Sequence, residues 1–562
     1  MMTEQGLILF FCAVVVVLIV QFASNQRKNR EKFLRHAKES FGKLPEREYA
    51  VEELARISHY FKNYRHRAAF YLDDLTWDDL GMEDIFLLVN QTCSSVGEDY
   101  LYWLLRTPIS DEKELEERHR IISFFQTHEK ERLKLQEIYH QLGRMKKHSV
   151  SDYLLRLMDL PVRGNANHYM VIIAEIISLL MLFVDSGIGV FFLFVSVAYG
   201  ITSYYKEKGI VEPYFVCVKQ VTGMLYLTDT LTRTGITELS GYFDELIRLK
   251  KECAGFAKGS RLICSNRMTG SMEEALLDYV RILTHMDLIQ FNRMQKKMQE
   301  KEREICSIFE IFGYIESLIA AASFRELLQD YCIPEFLSDS EQVSLSLSDM
   351  YHPMLDRPIP NTIQAARGVL ITGSNASGKS TFLKTVGICS VLAQTLMTVP
   401  AKQYHACFFR LYSSMAIRDN LMRQESYYLA EIRSLKRILD AKKRGEMVLC
   451  LVDEVLRGTN TVERIAASAQ VLLELCGNNI LCFAATHDVE LTYMLERAYV
   501  NYHFEEDVSD GDVHFDYRLR EGRAVTRNAI RLLSLLGYPE KLIHAAEESA
   551  EQFMEKGEWK CL

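Results

Sequence analysis

The sequence predicts a carboxyl-terminal α/β domain behind a longer, mostly α-helical region, with apolar helices of membrane-spanning length at the amino end and in the middle. Three observations predict it. Near residue 370 an apolar run enters a glycine-bounded loop and continues at once as a helical pattern (Phe382, Leu383, Val386, Ile388). Two further short apolar runs, ending at Asp453 and at Thr486, read as buried strands with polar carboxyl ends. Before them, residues 46–160 and 271–329 place apolar side chains three and four apart, the period of packed helices.

Composition narrows the classes. A chain of 562 residues has room for roughly two to four domains with ample core. Its net charge of −9 gives no global basic field, so any nucleic-acid contact needs a local patch. The 13 cysteines show no C-x-x-C or zinc-like spacing, and Cys450 and Cys482 sit inside apolar runs. That usage fits reduced, buried thiols, not a disulfide framework.

Residues 1–45 read as a membrane anchor with a basic linker. The run 7–23, LILFFCAVVVVLIVQFA, is just long enough to cross a bilayer core. Residues 1–6 carry Glu4 and no cation, whereas Arg27, Lys28, Arg30, Lys32 and Arg35 follow. A cleaved signal would put its positive charge first. The positive-inside rule then places the chain after residue 23 in the cytoplasm. Residues 46–160 form a helical core, whose stripes (Tyr100, Leu101, Leu104; Ile121, Ile122, Phe125) are those of ordinary packing.

Residues 161–210 read as a transmembrane helical hairpin. Two apolar arms, 170–184 and 188–202, flank the turn residues Asp185, Ser186 and Gly187. Arg163, Lys206 and Lys208 lie outside the arms, so both ends face the cytoplasm and the protein is expected to be multi-pass in the cell membrane. Glu175 in the first arm is costly in lipid and needs a partner or a neutral form. Residues 211–340 continue as a helical lever, with charges of both signs from Arg293 to Glu304. Such a run is a solvated helix face or a strut that transmits motion.

Residues 341–562 carry the chemistry. Gly373, Ser374, Asn375, Ala376, Ser377, Gly378, Lys379, Ser380 and Thr381 have the Walker A spacing G-x-x-x-x-G-K-[ST] between a strand and a helix. The glycines let backbone N–H groups form a nest for phosphate, and the helix adds its positive end. Lys379 would reach the β- and γ-phosphates, and Ser380 would offer its hydroxyl to Mg²⁺. Met447 to Glu454 is an apolar strand ending in two carboxylates. Asp453 would hold the Mg²⁺ shell and Glu454 would orient or deprotonate the attacking water. Thr486 and His487 close a third strand at the end where ligands of open α/β sheets bind, so His487 is placed to sense the γ-phosphate or serves as a structural histidine.

Residues 345–545 resemble the ATPase domain of MutS, the DNA mismatch-repair ATPase, itself akin to ABC ATPases. The motifs stand in family order: Tyr351-His352-Pro353, the phosphate loop, Ser426 to Glu431 as the signature segment, Asp453 and Glu454, Arg457 to Thr461, and Thr486-His487. The tail Gly511-Asp512, Tyr517-Arg518-Leu519, Gly522 and Gly537-Tyr538-Pro539 also fits. Helical residues 70–160 and 215–340 resemble the MutS core and lever. Departures accompany the likeness. Ser374, Ala376 and Ser377 stand where the family loop has Pro, Met and Gly, and Ile359 stands where an aromatic stacks on adenine. Residues 1–45 leave no room for mismatch-reading and connector domains, and no Phe-x-Glu wedge precedes the core, so a full mismatch detector is not expected on this chain alone.

The resemblance implies an ABC/MutS-like P-loop NTPase that hydrolyses ATP with Mg²⁺ in a homodimer, Ser426 of one subunit completing the other's site. Movement of the helical lever would be coupled to hydrolysis, and DNA is the partner implied, in or near mismatch repair. The alternative is a membrane ATPase whose lever acts on a protein or membrane partner without touching DNA.

Overall fold

The computed structural model describes residues 4–145, 149–256, 272–337, 342–374, 377–415, 427–456, 460–509, 512–524, 530, 533 and 537–556. The chain divides into two compact units that are discontinuous in sequence: Met1–Arg67, Val89–Trp103 and Arg120–Leu327 in one, and Ala68–Leu88, Leu104–His119 and Leu328–Leu562 in the other. Residues 46–160, expected as one helical block, are divided: the second unit draws 68–88 and 104–119 from within them.

The first unit is helical. Its centre is the helix Glu302–Leu327, which buries Ile305, Phe309, Phe312, Ile315, Leu318 and Ile319. This helix is apolar and long enough to cross a membrane, yet its apolar window is 78% buried, so it is a core helix. The pattern read over 271–329 breaks into Met272–Thr284, Met286–Glu300 and Glu302–Leu327. One break is at His285, whose φ of 51° is left-handed.

The hairpin is present. Its first arm is Ala166–Met181, and Asp185 caps the second by accepting from the N–H groups of Gly187 and Ile188. The second arm does not stop near residue 202. One helix, Ser186–Thr232, runs 47 residues with Pro213 inside it, joining the expected hairpin to the expected lever. Met170, Ile173, Leu180, Phe183, Phe191 and Phe194 are all exposed along the arms, and the apolar window of Ser186–Thr232 is 11% buried.

The second unit holds two sheets. A four-stranded sheet has the order β1-β5-β2-β3, from β1 (Glu335–Phe336), β2 (Leu345–Met350), β3 (Asn361–Ala365) and β5 (Gln403–Ala406). A six-stranded sheet has the order β10-β9-β4-β8-β7-β6, with β4 (Gly368–Thr372), β6 (Arg410–Ser414), β7 (Val448–Asp453), β8 (Ile480–Ala485), β9 (Tyr499–Ser509) and β10 (Asp512–Glu521). All its neighbours are parallel except β9 and β10. β4, β7 and β8 are buried at every position, which is why they read as unbroken apolar runs. The amino-terminal insert packs here through the helix Asp74–Leu80: Asp79 accepts from the Ser413 hydroxyl at 2.6 Å and the Met415 N–H at 3.0 Å.

A buried carboxyl organises the core of the first unit. Glu316, only 2% exposed, accepts from the backbone N–H groups of Cys93 and Ser94 and from the Ser94 hydroxyl, ahead of the helix Ser95–Arg106. A Cβ at Gly97 would lie 2.2 Å from its Oε2, so only glycine fits. Burial pushes Glu316 from 4.5 up to about 7, against the pull of its hydrogen bonds. The folded value lies above the unfolded one, so this contribution is full below pH 4.5 and is lost as pH rises through about 7. Urea unfolding across that window is expected to show stability falling by up to about 3 kcal/mol, and Glu316→Gln to flatten the fall. An unchanged pH profile in Glu316→Gln would remove this carboxyl as its source.

Candidate active site

Three parallel strands deliver the site. β4 pairs with β8 and β8 with β7, with Ile371 opposite Ala485 and Asp453 also opposite Ala485, so the three carboxyl ends lie side by side. Two backbone bonds tie them, Thr486 N–H to Ile371 C=O and Glu454 N–H to Ala485 C=O, both 2.9 Å. Residues 373–381 leave β4, Glu454 follows β7 and His487 follows β8.

The loop curls as its glycines allow. Gly373 has φ 150° and Gly378 φ 106°, and a Cβ at Gly373 would meet Ser377 Oγ at 2.9 Å and the Phe504 carbonyl at 3.0 Å. Gly378 caps the helix Lys379–Leu396, whose first N–H groups therefore open toward the loop. Lys379 is 5% exposed and donates to the Gly373 carbonyl at 2.9 Å and the Ser374 carbonyl at 2.7 Å. Ser374, where the family loop carries Pro, donates its hydroxyl to Glu506 on β9.

Ser380 Oγ donates to Asp453 Oδ2 at 2.5 Å, while Asp453 Oδ1 is buried without a hydrogen bond. A hydroxyl and a carboxylate with a spare buried oxygen are a fitting donor set for a hard divalent cation. Among the described residues no group of three or more His, Cys, Asp or Glu side chains is placed to hold a metal. An ion at Ser380 and Asp453 would therefore complete its shell with water and ligand phosphate, as Mg²⁺ does. Glu454, in the left-handed region at φ 57°, sets Oε1 2.9 Å from His487 Nε2. The structure thus brings together Lys379, Ser380, Asp453, Glu454 and His487. Ser426, Asn375 and Ala376 lie outside the described residues.

A cavity of about 560 Å³ opens beside the loop, lined among others by His352, Ile359, Lys379, Ser380, Glu454 and Tyr517. Ile359 does line it, 40% exposed. Tyr517, part of the tail motif, lines it too, a role that the motif does not assign. The β9–β10 register shifts between Phe515 and Leu519, and Tyr517 has φ 52° in that irregularity. Asn361 holds the bend, donating to the Tyr517 carbonyl at 3.0 Å and accepting from the Leu519 N–H at 2.7 Å.

The motifs do not give the contacts of the positioning residues. Arg464 grips Asp488 with two nitrogens, at 2.6 and 3.1 Å, next to His487. Glu431, at the end of the signature segment, accepts the Leu456 N–H in the turn after Glu454. Asp73 both caps Asp74–Leu80 and pairs with Arg437 on the helix Tyr427–Lys443. None follows a fixed spacing, because each pair joins segments distant in sequence.

Residues 369–554 match the family model described as MutS domain V. Over 350 residues, 58% of this chain, it is 26% identical to the DNA mismatch repair protein MutS of Pseudothermotoga lettingae, covering 42% of that protein. It is 27% identical over 344 residues, 56% of the chain, to 40% of DNA mismatch repair protein MutS of Leptospira interrogans. Against DNA mismatch repair protein MutS 2 of Haloarcula marismortui it is 26% identical over 352 residues, 56% of the chain and 36% of that relative. The chain therefore spans about two fifths of the length of the curated relatives it matches.

His352 in the cavity wall accepts the Met354 N–H on Nδ1 at 3.3 Å, which needs a bare, neutral Nδ1. Burial first, and Lys384 second, push it from 6.5 down to about 4. Nitrogen NMR is expected to show His352 as the Nε2–H tautomer, without titration between about pH 5 and 8. Titration near pH 6.5 would contradict the buried setting. The depressed value means that this contribution to stability is present above pH 6.5 and is lost as pH falls through about 4.

Proposed function

Because the chain belongs to the MutS family, we propose that it is a membrane-anchored, Mg²⁺-dependent ATPase that works as a homodimer, with DNA as partner in a process related to mismatch repair. The convergence of Lys379, Ser380, Asp453, Glu454 and His487 at one end of the parallel strands, with Lys379, Ser380 and Glu454 lining the cavity, is the observation that carries the reading. The loop N–H groups and Lys379 bind the phosphates, the lysine exchanging its two carbonyl partners for phosphate oxygens. Ser380 and Asp453 would hold Mg²⁺, which would supply neutralisation of phosphate charge. Glu454 orients water and takes its proton, with His487 beside it to sense the γ-phosphate. Ser426 from the partner subunit would supply the remaining donor, as the family resemblance implies.

The anchor rests on three features. The helix Glu4–Glu39 is continuous from the apolar run into the basic segment. The hairpin arms expose large apolar side chains at nearly every turn. Cations follow the first run and lie outside both arms of the hairpin, so a cytoplasmic ATPase domain follows. The net charge of −9 favours a second reading, in which the lever moves a protein or membrane partner and DNA is never bound.

ATPase assays of the full chain in detergent separate these readings. Glu454→Gln is expected to keep ATP binding and to slow turnover about a hundredfold or more, and Lys379→Ala to lose binding itself. Wild-type turnover in Glu454→Gln would overturn the catalytic assignment. Stimulation of the wild type by duplex or branched DNA supports the first reading; turnover indifferent to every DNA form supports the second.

Topology is checked separately with tags on intact cells. Tags at residue 30 and at the carboxyl terminus should be reached only from the cytoplasm, and one at Ser186 from outside. Full-length protein in the soluble fraction without detergent would remove the anchor.

A further inference from the structure

At the base of the apolar hairpin lies a buried polar chain that the nucleotide site does not use. His168, 1% exposed, begins the first arm, and His285, 0% exposed, is the left-handed joint between Met272–Thr284 and Met286–Glu300. Their Nδ1 atoms face each other at 2.9 Å. His285 Nε2 lies 3.0 Å from the Gly200 carbonyl on the second arm. His168 Nε2 lies 3.1 Å from Glu207 Oε2, also on that helix.

The protons can be placed from this geometry alone. A carbonyl only accepts, so His285 carries its proton on Nε2. Neutral His285 then has a bare Nδ1, which must accept, so His168 donates from Nδ1. A neutral His168 protonated on Nδ1 would point the lone pair of Nε2 at the Glu207 carboxylate, acceptor against acceptor. The chain of contacts closes only with one more proton, shared between His168 Nε2 and Glu207. Burial pushes His285 below its ordinary value, in line with a neutral ring there.

We propose that the His168–His285–Glu207 chain is a proton-binding latch that ties both hairpin arms to the Met272–Thr284 and Met286–Glu300 joint. It is closed while it holds the extra proton and released when that proton leaves. The neighbouring charged groups set its surroundings on every side. On the first arm, a Cβ at Gly200 would lie 3.0 Å from Glu175. On the second helix Lys208 donates to Tyr204, which donates to Asp287 at 2.8 Å. On the helix before the joint Arg281 pairs with Asp278 at 2.9 Å. Asp287 and Glu207 both act on His285 through space. Lys208, Tyr204 and Asp287 are paired with one another and Arg281 with Asp278, while Glu175 Oε1 is buried without a hydrogen bond. The His168–Glu207 contact requires a proton that neutral imidazoles and a carboxylate do not supply. A joint at the foot of a membrane-length hairpin is where such a release would free the helices that lead into the rest of the helical unit.

Hydrogen exchange of the full-length protein in neutral detergent tests this, read at residues 283–290 as protection factors corrected for intrinsic rates. Between about pH 5.5 and 8.5, the range over which histidine titrates, protection is expected to fall about tenfold or more. Glu207→Gln is the diagnostic variant. Its amide donates to a bare His168 Nε2, so the chain closes without the extra proton and protection stays high at both ends of the range. A wild type equally protected throughout, or a Glu207→Gln protein with the wild-type fall, overturns the latch. Nitrogen NMR of labelled histidine gives a second reading: His285 as the Nε2–H tautomer supports the proton order, and the Nδ1–H tautomer overturns it.

Discussion

The hydrogen bond between Ser380 and Asp453 depends on a register that the rest of the carboxyl-terminal unit exists to hold. β4, β8 and β7 run parallel, so the loop after β4 and the carboxylates after β7 emerge at one edge of the sheet. Parallel strands packed on both faces cannot change register without repacking the layers on either side. The apolar runs that end at Thr372, Asp453 and Ala485 therefore set the positions of Lys379, Glu454 and His487 to within a hydrogen bond. Side chains distant in sequence meet because their strands have no freedom to move apart.

The same edge is braced by groups that take no part in phosphate chemistry. Arg464 fixes Asp488 beside His487, and Glu431 fixes the turn that follows Glu454. Asp73 and Asp79, supplied by the insert from the helical half of the chain, bind Arg437 and Ser413. The helix that carries the signature residues is thus held by a carboxylate more than 350 positions away. A change in the insert therefore acts on the carboxyl-terminal unit directly, within one compact body.

Two buried polar systems stabilise the helical unit in contrasting ways. Glu316 is surrounded by neighbouring donors and serves as a cap, and its burial makes the charged form the costlier one. The His168–His285–Glu207 chain is short of a donor by one proton, so its protonation decides whether the contacts exist. A polar group inside an apolar hairpin is costly unless partnered, which makes the proton count there decisive.

The glycine-bounded loop at 373–381, the acid pair Asp453 and Glu454, and the buried runs of β4, β7 and β8 were legible from the sequence, because each is a local pattern of apolar run, glycine and polar terminus. The hairpin turn at Asp185 was legible for the same reason. Hydropathy alone does not tell a buried apolar helix from an exposed one. Glu302–Leu327 and Ser186–Thr232 have similar hydropathy, and only packing, 78% against 11% buried, separates them. Nor did the sequence reveal the shared membership of residues 68–88 and 341–562, the bulge that turns out Tyr517, or the meeting of His168 with His285 across 117 positions. Local chemistry is written in neighbouring residues, whereas these features arise from contacts between distant segments, which only the folded chain brings together.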